Sequence, residues 1–259
     1  MKRLARVRTR NYTAKPLRQS IPTDKRAVVR LGSLTPTTRI FPNHRDIVEI
    51  NTVEAIQNSR SKLRMKECFK KLNVPQAIWW DSYQALANNN EKLPYPLVVK
   101  RVFGFQGRGM ELIHNEDELN EWKNKHNPDG FFFEKFYDYA REYRLHVADK
   151  VGVFLSWRKL RTKEAKERWF FNSINSNWVG ENHELFDKPK CWKAMEEAAI
   201  NCIKATGLDI GAVDIRVQSN KQANPQFIVC EINSAPALGK EGIIKYKEVI
   251  SQLIEQKNE

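Results

Sequence analysis

The sequence predicts an α+β protein of two or three lobes, and three observations carry that prediction. Short β-branched and aromatic runs recur in pairs joined by glycine-rich or hydrophilic turns, the pattern of antiparallel strands. Between them lie segments whose apolar residues repeat at helical intervals. The composition, 41% hydrophobic and 29% charged over 259 residues, is that of an ordinary globular chain able to bury a sizeable core.

Taken in order, Ala27-Val28-Val29-Arg30-Leu31-Gly32-Ser33 is a short strand running into a glycine turn, with a loop from Leu34 to Thr38 behind it. From Asn51 to Leu72 the spacing of Val53, Ile56, Leu63, Met65, Cys68, Phe69 and Leu72 is helical and stops at Asn73-Val74-Pro75, which places a helix over the second half of the stretch. Leu97 to Lys100 and Met110 to Ile113 are strands joined by Gly104-Phe105-Gln106-Gly107-Arg108-Gly109. Glu116 to Lys125 is a helix, Phe131 to Phe136 a strand, and Tyr143 to Ala148 with Val151 to Trp157 a hairpin turning at Asp149-Lys150. Residues 162 to 190 are polar and carry no clear period. Trp192, Met195, Ala199 and Ile203 mark an amphipathic helix from Cys191 to Thr206 that Gly207 ends. Ala212 to Arg216 and Val229 to Asn233 are the last two strands, separated by the turn from Ser219 to Pro225.

Composition narrows the possibilities further. No apolar run approaches the ~20 residues of a membrane span, and arginines stand where a signal peptide has its apolar segment. A soluble, cytoplasmic protein is expected. Cys68, Cys191, Cys202 and Cys230 lack paired spacing, which argues for reduced, mostly buried thiols and against a disulfide framework or a zinc site. The formal charge is +13, and residues 1 to 30 hold ten lysines and arginines against Asp24 alone. Such a segment reads as a basic arm that cannot fold by itself, either solvated or engaging nucleic acid, an acidic protein or anionic lipid.

The chemistry is concentrated near the C-terminus. In Val229-Cys230-Glu231-Ile232-Asn233 a carboxylate and a carboxamide stand two residues apart, so on a strand both project from one face. Asp214 sits in the middle of the preceding apolar run. If the two strands pair, three hard oxygen donors converge, a set that suits Mg²⁺ shared with a substrate phosphate. Exposure on a strand would explain any one of these residues, but both acids lie in runs apolar enough to be buried, where an uncompensated carboxylate is costly. Lys100 closes an apolar strand just before three glycines within six residues, and Lys62 begins the helical segment. A phosphate cradled by backbone N–H groups, with Gln106 and Arg108 as further donors, would compensate Lys100; a glycine hairpin alone is as readily a tight turn. Glu134 in its aromatic strand could meet an adenosine, or lie on a solvated edge; Glu142-Tyr143-Arg144 sets an acid and a guanidinium on one face, the pattern also of a surface ion pair.

In this order and spacing the residues resemble the ATP-grasp ligases, in particular the branch of ribosomal protein S6 glutamate ligase and related phage-encoded proteins. The likeness runs from Ile50-Asn51 through Lys62, Asn73-Val74-Pro75, Pro96 to Lys100, Gly104 to Gly109, Glu134, Glu142-Tyr143-Arg144, Gly207-Leu208-Asp209 and Gly211 to Asp214 to Glu231-Ile232-Asn233-Ser234-Ala235-Pro236. It implies an ATP-grasp fold in which two α+β lobes clasp ATP, with a basic arm and shortened N-terminal region over 1–50, a lobe bearing the glycine lid over 51–130 and a lobe bearing the metal site over 131–259. Lys62, Lys100, Gly104, Gln106, Gly107, Arg108 and Gly109 would then contact phosphates. Glu134, Lys135 and Phe136 would lie by the adenine, Glu142 and Arg144 at the ribose side, and Asp214, Glu231 and Asn233 would hold one or two Mg²⁺, or Mn²⁺. The implied activity is an ADP-forming ligase that joins a carboxylate to an amine, or a thiol, through an acyl phosphate, giving a peptide-like amide on an amino acid, peptide or protein. Positioning and charge neutralisation suffice for such phosphoryl transfer.

Two departures stand out. The region before the ATP-binding core is short, and where relatives carry an Arg-Asn pair this chain has Trp169 to Asn177, so Asn172 or Asn175, with Arg158 or Arg161, are the candidates to act on the developing acyl phosphate. The alternative is an ATP-binding, non-ligating protein whose arm binds nucleic acid or an acidic partner, with a homodimer or larger assembly left open.

Overall fold

Four sheets organise the chain in a computed structural model that describes residues 3–89, 91–104, 107, 109–162, 176–219 and 221–257. The N-terminal residues, expected as a free basic arm, are instead folded. β1 (Arg3–Leu4) pairs antiparallel with β3 (Pro22–Thr23), while β2 (Arg6–Thr9), β4 (Arg26–Leu31) and β5 (Ile47–Ile50) form a parallel sheet in the order β2-β4-β5. The physical reason for the correction is a period of two: Ala5 and Val7 are buried while Arg6 and Arg8 are exposed. Ala14, Leu17 and Ile21 follow Val7 into a core shared with Tyr246, Val249, Ile250 and Leu253 of the C-terminal helix. A 3-10 helix over Tyr12–Gln19, capped by Asn11, joins β2 to β3, and a single turn α1 (Thr37–Ile40) lies before β5.

The stretch after β5 is helical throughout, in two pieces: α2 (Val53–Arg60) and α3 (Lys62–Lys71). The break falls at Ser61, which is extended (φ −83°, ψ 118°), closes α2 and caps α3 by accepting a hydrogen bond from the Arg64 N–H. A second sheet, in the order β6-β9-β7-β8, combines β6 (Trp79–Trp80), β7 (Leu97–Arg101), β8 (Glu111–Ile113) and β9 (Phe131–Lys135), with α4 (Tyr83–Ala87) and α5 (Glu116–Lys125) against it. β9 pairs with β7, opposite Lys100 at Phe132 and opposite Val98 at Glu134, so this strand belongs with the glycine hairpin and not with the C-terminal lobe expected from residue 131 onward.

The largest sheet runs β12-β11-β10-β13-β14, entirely antiparallel, from β10 (Arg141–Ala148), β11 (Gly152–Arg161), β12 (Ser176–Gly180), β13 (Ile210–Val217) and β14 (Phe227–Asn233). Its hairpin at Asp149-Lys150 forms as expected, with Lys150 at φ 58°. One face is covered by α6 (Trp192–Thr206), α2 and α3 through Tyr143, Leu145, Val213, Ile215, Val229 and Ile232. Gly207 ends α6 at φ 75°, in the left-handed region, as its position predicts. The sequence reading did not foresee α7 (Lys240–Gln256), which packs on the other face beside the N-terminal sheet. Asn51 joins these units. Fully buried at φ 58°, it donates to the Arg30 and Ile210 carbonyls and accepts from the Asp209 and Ile210 amides, leaving neither end of its carboxamide unpaired.

Candidate functional site

Alternation along strands builds the two walls of one cavity of about 460 Å³. On β7 and β9, Leu97, Val99 and Phe133 turn into the small lobe's core, so Val98, Lys100, Phe132 and Glu134 face the cavity. On the large sheet, Tyr143 and Leu145 turn toward α6, so Glu142 and Arg144 face the cavity, joined by Lys159, Trp178, Asp214 and Arg216. The far end is closed by Asn11 and by Ala235, Pro236 and Ala237. Asn11 is held there by donating from Nδ2 to the Ala235 carbonyl at 3.0 Å.

The small-lobe wall is a charge relay of buried groups. Glu134 has one oxygen 2.5 Å from Lys66 Nζ and the other in contact with Lys100 Nζ. Burial alone would raise the Glu134 carboxyl, but Lys100 and Lys66 outweigh it and hold its pKa at about 2. Burial pulls the Lys100 ammonium down, but Glu134 and Cys230 together outweigh it and leave its pKa raised. Lys62, one helical turn before Lys66, donates to the Gly104 carbonyl at 3.1 Å, and burial lowers its pKa against the pull of Glu231. A cation thus reaches the base of the glycine hairpin, where Gly107 and Gly109 lie at φ 67° and 70°.

On the facing wall Asp214 and Glu231 are direct partners across β13 and β14. The register slips immediately beyond them, so Cys230 is an extra residue that joins Glu231 along the cavity. Asn233 Nδ2 lies 3.0 Å from Glu231 and 3.2 Å from Asp214, so the three oxygen-bearing side chains expected to converge do so. Arg144 grips both oxygens of Asp214 at 2.6 and 2.7 Å and stacks over Trp178. Burial raises the Asp214 carboxyl despite Arg144, whereas Glu231, opposed by burial, is held low by Lys62 and the Asn233 amide. Two carboxylates and an amide are hard donors that fit Mg²⁺, and they are too few to enclose it. Among the described residues no group of three His, Cys, Asp or Glu stands close enough to hold a metal, so phosphate or water oxygens would have to complete the shell.

Of the residues singled out from sequence, Lys62, Lys100, Gly104, Gly107, Glu134, Lys135, Phe136, Glu142, Arg144, Asp214, Glu231 and Asn233 line this cavity. Gly109 is not among the lining residues and lies against Arg101; Gln106, Arg108, Asn172 and Asn175 lie outside the described residues. Glu142 faces the cavity with its carboxylate engaged by Lys159 at 2.8 Å and Arg216 at 3.4 Å. Glu134 likewise presents no free carboxylate to an adenosine, because both oxygens are ion-paired. Arg158 does not line the cavity: it stands opposite Tyr143 on the α6 face, donating to the Leu185 carbonyl and pairing with Asp187. Arg161 shares the parity of Lys159 but ends β11 away from the cavity lining. Sequence reasoning missed Lys66, Lys159, Arg216, Trp178 and Asn11. Lys66 was signalled by its four-residue offset from Lys62, and Arg216 by its two-residue offset from Asp214.

Residues 58–237 match the family described as carbamoyl-phosphate synthase L chain, ATP binding domain. The large chain of carbamoyl phosphate synthase from Campylobacter jejuni is 22% identical over 190 residues, which cover 70% of this chain and 17% of that protein. This chain therefore spans less than a fifth of that relative. Among solved structures, N5-carboxyaminoimidazole synthetase of Staphylococcus aureus complexed with ADP superposes with a TM-score of 0.61 at 18% identity, covering 81% of this chain and 54% of that one. D-alanine–D-alanine ligase of Bacillus anthracis complexed with ATP gives 0.60 at 14% identity, covering 88% and 78%.

Proposed function

The chain belongs to the family of the carbamoyl-phosphate synthase L chain ATP-binding domain and has the ATP-grasp fold, and from that premise we propose that it is an ADP-forming, Mg²⁺-dependent ligase joining a carboxylate to an amine through an acyl phosphate. The observation that carries this reading is the pairing of walls in one cavity: Lys62 and Lys100 with a glycine hairpin on one side, Asp214, Glu231 and Asn233 on the other. In this reading Lys62 and Lys100 neutralise phosphate charge, and Gly104 and Gly107 bring backbone close to it. Glu231, Asp214 and Asn233 are the residues that would hold Mg²⁺, which when bound would screen the phosphates during phosphoryl transfer. Arg144 keeps Asp214 oriented and compensates its buried charge. The strip from Lys135 to Tyr137, beyond the ion-paired Glu134, is the part of β9 and its continuation left to meet the base.

The test is ADP release from Mg·ATP across panels of carboxylates and amines, with hydroxylamine added to trap an acyl phosphate as a hydroxamate. Turnover and hydroxamate are expected from the wild-type chain and roughly 10²–10³-fold less from Glu231→Ala, the scale of losing one preorganised electrostatic partner. Undiminished turnover in that variant would remove the metal assignment; failure to bind Mg·ATP at all would remove the whole reading.

A further inference from the structure

Lys66 is a buried cation for which neither sequence motif nor family likeness supplies a use. Its side chain is 1% exposed, against 5% for Glu134 and 17% for Lys100. The three form a shared arrangement in which one carboxylate oxygen goes to each lysine. Lys66 is fixed within α3, whose backbone carbonyl at this residue accepts from Gln76 Nε2 at 3.1 Å. Lys100 stands near the end of β7 next to the glycine hairpin, with the more exposed side chain of the two. If Lys100 turns to a phosphate, Glu134 loses one of its two counter-charges while remaining buried. A buried carboxylate left without a partner is strongly unfavourable, so with one lysine alone Glu134 would hold Lys100 back.

We propose that Lys66 is a positioning residue: it keeps the Glu134 carboxylate ion-paired in both states and so frees Lys100 to exchange carboxylate for nucleotide phosphate. This rests on the nucleotide reading of the cavity and adds to it a role for a cavity-lining residue that acts through Glu134. Two lysines around one carboxylate leave a local surplus of one positive charge, which the arriving triphosphate neutralises. The Lys66–Glu134 pair is then left neutral behind it.

The experiment measures dissociation constants for Mg·ATP and for adenosine, which lacks the phosphates, on the full-length chain and on Lys66→Met and Lys66→Arg. Expected is Mg·ATP binding weakened roughly tenfold or more in Lys66→Met, the scale of a perturbed buried ion pair, with adenosine affinity unchanged and Lys66→Arg within about threefold of wild type. Equal loss for adenosine and Mg·ATP would mark a merely structural role and overturn the inference, as would wild-type Mg·ATP affinity in Lys66→Met. Should Lys66→Met not fold, amine labelling of the wild-type chain decides instead. Lys66 is expected to stay unlabelled with and without Mg·ATP while Lys100 passes from labelled to protected; labelling of Lys66 alongside Lys100 would overturn the inference. If the wild-type chain takes up no Mg·ATP, the underlying nucleotide reading fails and this inference with it. Uptake by wild type with no difference in Lys66→Met sinks the Lys66 role alone.

Discussion

His146 shows how a single side chain ties stability to pH. It is buried on β10, its Nδ1 3.0 Å from the Tyr246 hydroxyl, and burial together with Arg144 pushes its pKa down to about 3. The unfolded chain, with an ordinary histidine pKa of about 6.5, binds the proton more readily between those two values, so stability rises with pH in that window. The neutral ring's contribution is fully present above about 6.5 and is lost as pH falls toward 3. Chemical denaturation at pH 7 and pH 5 should therefore show a loss of about 2 kcal/mol attributable to this residue. His146→Gln, which keeps a hydrogen-bonding group without the titration, should shrink the difference between the two pH values by that amount, and an unchanged difference would contradict the assignment. At this same scale the sequence was most legible in the acids. Glu231 and Asn233 could be placed on one face from a period of two, because strand alternation is a local property, whereas Asp214 joins them only through strand pairing. Their partners were not legible: Arg144 and Lys62 reach them only through pairing across the sheet and contact between lobes.

Elements differ in how much of their geometry is written locally. The helix over Glu116–Lys125 and the end of α6 at Gly207 follow from caps and turn chemistry within a few residues. The double helix α2–α3 was half read, because a serine inside a helical pattern does not announce whether it will interrupt it. Whether β9 belongs to the first or the second lobe is decided by its long-range partner β7, which no local pattern encodes. Two glycines give a paired test of local against tertiary constraint. Gly207 lies at φ 75° with only Ala55 at ordinary contact distance from an added Cβ, so Gly207→Ala should cost about 1 kcal/mol, the left-handed backbone penalty alone. Gly32 has a similar φ of 74°, but an added Cβ would stand 2.8 Å from that of Ala235. Gly32→Ala should therefore cost roughly 2–4 kcal/mol, the same backbone penalty plus overpacking, and should also weaken Mg·ATP binding by displacing the loop after Asn233. Urea unfolding of both variants separates the two cases, and equal costs would mean that the Gly32 turn yields freely.

The whole molecule depends on contacts between its ends. The basic N-terminal residues looked unfoldable because their apolar complement, α7, lies more than two hundred positions away. Arg6→Glu with Arg8→Glu, both exposed, should leave thermal stability nearly unchanged, within about 0.5 kcal/mol. Deleting residues 1 to 26 should instead lower the melting temperature by well over ten degrees or abolish folding, since it strips Ala5, Val7, Ala14, Leu17 and Ile21 from a shared core. A truncated chain that melts like the intact one would show that the N-terminal sheet is an appendage. Asn51→Ala tests the junction itself: it removes a carboxamide that pairs four backbone groups and should destabilise by roughly 2–4 kcal/mol.

One short connection has a mechanical meaning. Gln76 and Val229 form an isolated parallel bridge, and the Val229 amide donates to the Pro75 carbonyl at 2.7 Å, stitching the loop that leads into the small sheet to the strand that carries Glu231. The halves of the cavity are thus riveted at a point two residues from Glu231. Any tilt of the glycine-bearing sheet would pivot about that rivet as a door does about its pin, with travel largest at the hairpin and least beside Glu231.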